Sequence, residues 1–161
     1  MVNIKKRISG ARTAADSVSG NKVVIVLGNR ETMINAMLMA VMRQAYKEID
    51  FLFESATQAA AFIELATRTE TRLALFIPPG NIDPEPGISK ATVEDEIVRI
   101  ITTIKAKNPI PLIVLAVQSH ASEMALASGA NFFFDIPTPA LDIADAVAKC
   151  LGLEPGKTVA P

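Results

Sequence analysis

The chain has 161 residues, half of them hydrophobic and a fifth charged, with a net charge of −1. That is long enough for one domain with a full core and too apolar for a disordered chain. The near-neutral balance gives no ground for nucleic acid or an anionic membrane as partner, and the single cysteine, Cys150, excludes an internal disulfide and fits a reducing compartment.

Residues 1–20 form an arm of distinct composition, with Lys5, Lys6, Arg7 and Arg12 against Asp16 and glycines and serines between them. A flexible tail is one expectation. The other is a short amphipathic helix, because Ile4, Ile8, Ala11, Ala15 and Val18 recur on one helical face. The start lacks the apolar core of a signal peptide, and no apolar run reaches the length of a membrane span, so a cytoplasmic protein is expected.

The domain proper is expected over residues 21–152. Residues 22–28 are β-branched, apolar and closed by Gly, which predicts a strand. A helix over roughly 31–48 follows, with Ile34, Met37, Leu38, Val41, Met42 and Ala45 as its inward stripe. Its other face would carry Ala36, Met39, Ala40, Arg43 and Tyr46. A second strand is expected at 49–54. A helix at about 57–69 would partly bury Ala60, Ala61, Ile63, Leu65 and Ala66, and a third strand covers 72–77. The Pro- and Gly-rich stretch 78–91 is a long loop of a length often tied to function. Thr92 would cap the next helix, whose buried stripe is Ile97, Ile100, Ile101 and Ile104. A fourth strand spans 111–117 and a short helix 120–128. Residues 131–136 hold three consecutive Phe, which predicts a strand buried on both faces and ended by Pro137. A helix at 141–151 would turn Leu141, Ala144, Val147, Ala148 and Leu151 inward and stop at Gly152. Residues 153–161 form a tail.

Five strand–helix alternations with short apolar strands predict an α/β fold, a doubly wound parallel sheet in the order 2-1-3-4-5. In such sheets ligands sit at the carboxyl ends of the strands. Four segments therefore matter: 28–32, 77–83, 116–120 and 135–139.

The run 111–117, the Ser128-Gly129-Ala130 turn, the aromatic strand and Ile136-Pro137, with Glu31-Thr32-Met33 opening the first helix, resemble a response-regulator receiver domain over roughly residues 22–151. The resemblance implies the flavodoxin-like fold and a place in two-component signalling. In that family an aspartate ending strand three is phosphorylated, with Mg²⁺ held by it and an acidic pair after strand one. A Thr or Ser ends strand four and a Lys precedes a Pro after strand five. Carried over, the acidic pair falls on Gly28 and Asn29, the acceptor on Ile77 (or Pro78), the hydroxyl on Ala116 and the Lys on Ile136. The switching aromatic falls on Phe133. None of these can bind Mg²⁺ or take a phosphoryl group as the family does. Asp135 lies one residue from the Lys position and so on the opposite face. Asp83 and Glu31 are the remaining nearby acids.

The expectation is a pseudo-receiver without catalytic residues, metal or cofactor, acting through protein contacts and forming a homodimer. Two faces are candidates. One is the outer side of the first helix, with Ala36, Met39, Ala40 and Arg43. The other follows from the resemblance: the fourth helix, fifth strand and last helix, with Glu123, Leu126, Phe133, Asp142, Asp145 and Lys149. The alternative is a flavodoxin-like binder of a nucleotide or small anion at the strand ends. It has a helix start at 28–32 with Arg30 nearby but no Gly-rich fingerprint. His120, the single histidine, is read as a capping or surface residue. Cys150 is read as a small buried hydrophobe.

Overall fold

The computed structural model describes residues 22–29, 32–77, 93–116 and 121–153. In chain order the elements are β1 (Lys22–Gly28), α1 (Thr32–Ala45), β2 (Asp50–Ala56), α2 (Ala59–Ala66), β3 (Thr71–Phe76), α3 (Val93–Lys107), β4 (Leu112–Ala116), α4 (Ser122–Ser128), β5 (Phe132–Asp135) and α5 (Ala140–Leu151). The strands pair in parallel in the order β2-β1-β3-β4-β5. This is the flavodoxin-like arrangement that the alternation of strands and helices predicts. Loop residues 78–92, the arm 1–21, His120 and the tail beyond Leu153 lie outside the described residues.

The sheet carries a helix layer on each face. Val26, Ala74, Phe76, Leu112 and Val114 point to one side, where Phe62 of α2, Ile97, Ile100, Ile101 and Ile104 of α3 and Ala125 of α4 cover them. Val23, Ile25, Leu27, Leu73, Leu75, Ile113 and Leu115 point to the other, under Leu38 and Met42 of α1 and Ile143 and Val147 of α5. The central strands have both faces covered, so they are apolar throughout and not alternating.

Several side chains depart from the sequence expectation. Met37 is half exposed, whereas Tyr46 is buried beneath the end of α1. In α2, Ala60 and Ala61 face outward, and Phe62 is fully buried together with Ala59 and Ala66. In α5, Leu141 is exposed and Ile143 takes the inward place. The three Phe of β5 are only half-buried, because β5 is an edge strand paired with β4 alone. Phe132 and Phe134 stack at 6.2 Å on the α1–α5 side, and Phe133 packs on the other.

Polar ties close the loops at the amino ends of the strands. Asn108, after α3, donates to the carbonyls of Ala66 at 3.1 Å and Arg68 at 2.8 Å, so its side chain ties the end of α2 and the turn beyond it to the end of α3. Asn131 accepts the Leu112 N–H at 3.0 Å and fixes the start of β4 beside β5. Gly129 (φ 125°) ends α4 and Gly152 (φ 74°) ends α5, backbone angles that favour glycine. Leu153 then folds back, its N–H bonding to Ala148 O at 2.8 Å, and joins the core. Asn108→Ala removes the side-chain donor from the Ala66 carbonyl and leaves Arg68 O with the Thr71 N–H alone. It is expected to lower the unfolding free energy by about 1–2 kcal/mol in a denaturant titration.

Candidate functional site

The parallel register gathers the carboxyl ends of β1, β3, β4 and β5. Gly28 pairs with Phe76, and Ile77 N–H donates to Gly28 O at 3.0 Å. Ala116 pairs with Asp135, and Ile136 N–H donates to Ala116 O at 2.9 Å. Gly28, Asn29, Ile77, Ala116 and Ile136 therefore share one end of the sheet, as the resemblance requires of its site positions.

What fills that end is mostly apolar. Ile77 is 2% exposed, within the core under α1 and α5, and Ala116 is 1% exposed. Ile136 is half-buried against the same core. The Ile136–Pro137 bond is cis, and the Thr138 hydroxyl donates to the Asp135 carbonyl just beyond β5. Gly28 carries no side chain for a steric reason. A Cβ built on it would come 2.5 Å from Cδ1 and 2.8 Å from Cγ of Phe62. That ring stands 5.3 Å from the Phe76 ring and is fully buried. An aromatic side chain from α2 thus occupies the space into which a residue at the end of β1 would project.

The polar member is Asn29, 2% exposed. Its Nδ2 donates to Oδ1 of Asn35 at 3.0 Å, tying the turn after β1 to the second turn of α1. This is a neutral pair, and its hydrogen bond meets the cost of burying two amides. Asp135 is exposed, on the face of β5 opposite to Ile136. Among the described residues no three of His, Cys, Asp and Glu are grouped as a metal ion would require. Glu31, Arg30, Pro78, Asp83 and His120 lie outside the described residues.

Two features escaped sequence reasoning. Phe62 is one; it is the sole aromatic between 57 and 69, which was the available signal. The other is Glu96 of α3, a carboxylate only 3% exposed, with Oε2 2.7 Å from Arg99 Nη2. No rule of helix phase places an acid in that buried row beside Ile97 and Ile100.

The candidate surfaces separate cleanly. On α1, Ala36 and Ala40 are exposed, and Met39 is half-buried. Arg43 turns to β2, with Nη2 3.3 Å from Phe51 O and the guanidinium 5.2 Å over the Phe53 ring. On the second face Glu123, Leu126, Asp142, Asp145 and Lys149 are exposed and Phe133 is half-buried. Asp145 also reaches toward α1: burial first, and its charge second, push the Tyr46 hydroxyl above its ordinary pKa. Cys150 is half-buried, and burial raises its thiol pKa against the opposing pull of Lys105. It therefore stays a neutral thiol.

Gly28→Ala is expected to destabilise the fold by about 1–3 kcal/mol through overpacking against Phe62. A double-mutant cycle with Phe62→Ala checks the cause. If the ring is the obstacle, the cost of Gly28→Ala falls sharply in the Phe62→Ala background.

No protein-family model matches the chain, and no protein of curated function does. Solved structures do. A CheY-like response regulator receiver domain protein of Methanospirillum hungatei matches with a TM-score of 0.58 at 16% identity, over 81% of this chain and 94% of that one. A receiver domain protein of Clostridium thermocellum gives 0.58 at 15%, over 81% and 94%. The receiver domain of a sensor histidine kinase of Pseudomonas aeruginosa, which has a magnesium ion coordinated in its active site cleft, gives 0.58 at 14%, over 81% and 98%. The fold of this chain is that of the response-regulator receiver domains.

Proposed function

We propose that this chain is a receiver-type signalling or scaffold module that acts through protein–protein contacts without being phosphorylated, self-associates, and is not an enzyme. It would work in the cytoplasm. Among the described residues no helix is long and apolar enough to cross a membrane.

The single observation behind this reading is the packing at the sheet's carboxyl end. Phosphoryl transfer to a carboxylate needs the carboxylate as nucleophile, oxygen ligands for Mg²⁺ and a fixed cation for the developing charge. The five positions instead carry Gly28, Asn29, Ile77, Ala116 and Ile136, and Phe62 fills the space above Gly28. The set is also coherent as a whole. Removing one member of a buried charge cluster leaves its partners unpaired, at a cost of roughly 3–5 kcal/mol. Replacing every member by neutral groups removes that cost. The same packing supports contact over ligand binding, because Phe62 takes the space beside Gly28 and the described strand ends offer no charged group to a ligand other than the outward-facing Asp135.

Incubation with a small acyl phosphate and Mg²⁺, followed by intact mass measurement, tests this directly. The expected result is an unmodified chain, with a receiver that carries the full acidic set run alongside as the positive control. A stable phosphoryl adduct on this chain at a stoichiometry near that of the control would overturn the proposal.

A further inference from the structure

The outer face of α1 holds almost no charge. Residues 33, 36, 37, 40 and 44 fall within one narrow stripe at 100° per residue, and they are Met, Ala, Met, Ala and Gln. Met33 is 70% exposed and Met37 50%. Ala36 and Ala40 are exposed too. Arg43, the one charged residue of α1, is drawn off this stripe onto Phe51 and Phe53 of β2. At the carboxyl half of the helix the stripe opens into a groove of about 190 Å³ lined by Val41, Gln44, Ala45 and Leu141 of α5. Leu141 is 65% exposed at its rim.

The face thus bears a projecting, flexible side chain at one end and an apolar recess at the other. Met33 and Gln44 are separated by about 16 Å along the axis. Two copies of α1 laid antiparallel about a two-fold axis bring position 33 opposite 44, 36 opposite 41 and 37 opposite 40. Met33 of each copy then meets the recess of the other, and both contacts form at once, as an isologous interface demands. The alanines near the axis let the helices approach closely, and Met adapts its shape to the recess. The recess has room for roughly six waters, enough for one unbranched side chain. Between positions 33 and 44 no like charges are brought together, because the stripe there has none.

We infer that the occupant of this face is a second copy of the chain, docked through α1 against α1 in this antiparallel register. The inference deepens the self-association in the proposed function and rests on it. It also selects between the two candidate surfaces: α1 and the start of α5 make the contact, and the face with Glu123 and Leu126 stays free. Two adjacent helices give a face of roughly 20 Å by 20 Å on each copy, about 800 Å² in total, below the range of stable complexes and in that of weak, transient ones. The dimer is therefore expected in the micromolar range.

Sedimentation equilibrium up to about 100 µM, a concentration well above such a dissociation constant, reads the association. The wild type and Leu126→Glu are expected to dimerise. Ala40→Glu, which places two carboxylates near the two-fold axis, is expected to raise the dissociation constant by about a hundredfold, with an unchanged circular dichroism spectrum. Register is read separately in a Cys150→Ser background. Mixing M33C with Q44C chains is expected to give an oxidised cross-link that neither chain forms alone. A monomeric wild type overturns both the inference and the self-association it rests on, whether the face then takes another protein or the chain's own residues 1–20. A dimer broken by Leu126→Glu and indifferent to Ala40→Glu overturns the inference alone. If Ala40→Glu unfolds the chain, the cross-link decides: its absence in the mixture overturns the register.

Discussion

The contact between the Phe62 ring and the bare α-carbon of Gly28 governs how the carboxyl end of this sheet is built. A parallel sheet leaves its strand ends open, and the fold places ligands there because nothing else fills the space. Here α2 sends in an aromatic ring that packs tilted against Phe76 and lies within 3 Å of where a Cβ on Gly28 would stand. Glycine at that position and phenylalanine on α2 are one arrangement. A side chain at the end of β1 and the ring cannot both be accommodated without one of them moving.

Neutrality follows from the same arrangement. Asn29, Ile77 and Ala116 are buried as well, and at such positions an unpaired charge costs several kcal/mol. Asn29 remains polar because Asn35 supplies its partner at 3.0 Å. Ile77 and Ala116 continue the core to the last residue of their strands. In α3, the buried carboxyl of Glu96 has Arg99 beside it. Its other oxygen, Oε1, is buried without a hydrogen-bond partner, whereas the amide of Asn29 is met by that of Asn35. At the strand ends the polar side chain is thus held by a hydrogen bond and not by an ion pair.

The sheet was legible in the sequence because its central strands are uniform apolar runs, and covered strands look the same from either face. The strand order followed from the number of units. Side-chain phase was less legible where a helix lacks a polar face to mark it. In α1 nearly every residue is apolar, so the pattern could not tell that Met37 faces out and Tyr46 in. In α2 the small Ala60 and Ala61 resemble core residues, yet the one large side chain, Phe62, decides the packing. The triple Phe of β5 gives a run as apolar as that of β4, but burial of an edge strand depends on its neighbours and not on its own residues. The positions of the candidate site were legible from the spacing of Gly129-Ala130 and Ile136-Pro137. The approach of Phe62 to Gly28 was not, because it depends on a contact across 34 residues of sequence.

These constraints bear on what kind of signal such a fold can carry. A switch needs two arrangements and a ligand that favours one of them. A phosphoryl group exerts that preference through the charges it meets, and on the proposed reading the strand ends present none. The helix that offers the outer contact face, α1, is held at both ends. Asn29 pins the amino-terminal half of α1 to the turn after β1, and Arg43 pins its last turn to the backbone and ring of β2. Tyr46, buried and facing Asp145, adds a contact with α5. A helix fixed in this way cannot easily relay a conformational change, but it can present a constant surface. That is the physical requirement for a scaffold: its recognition face is set by folding and does not wait for a modification.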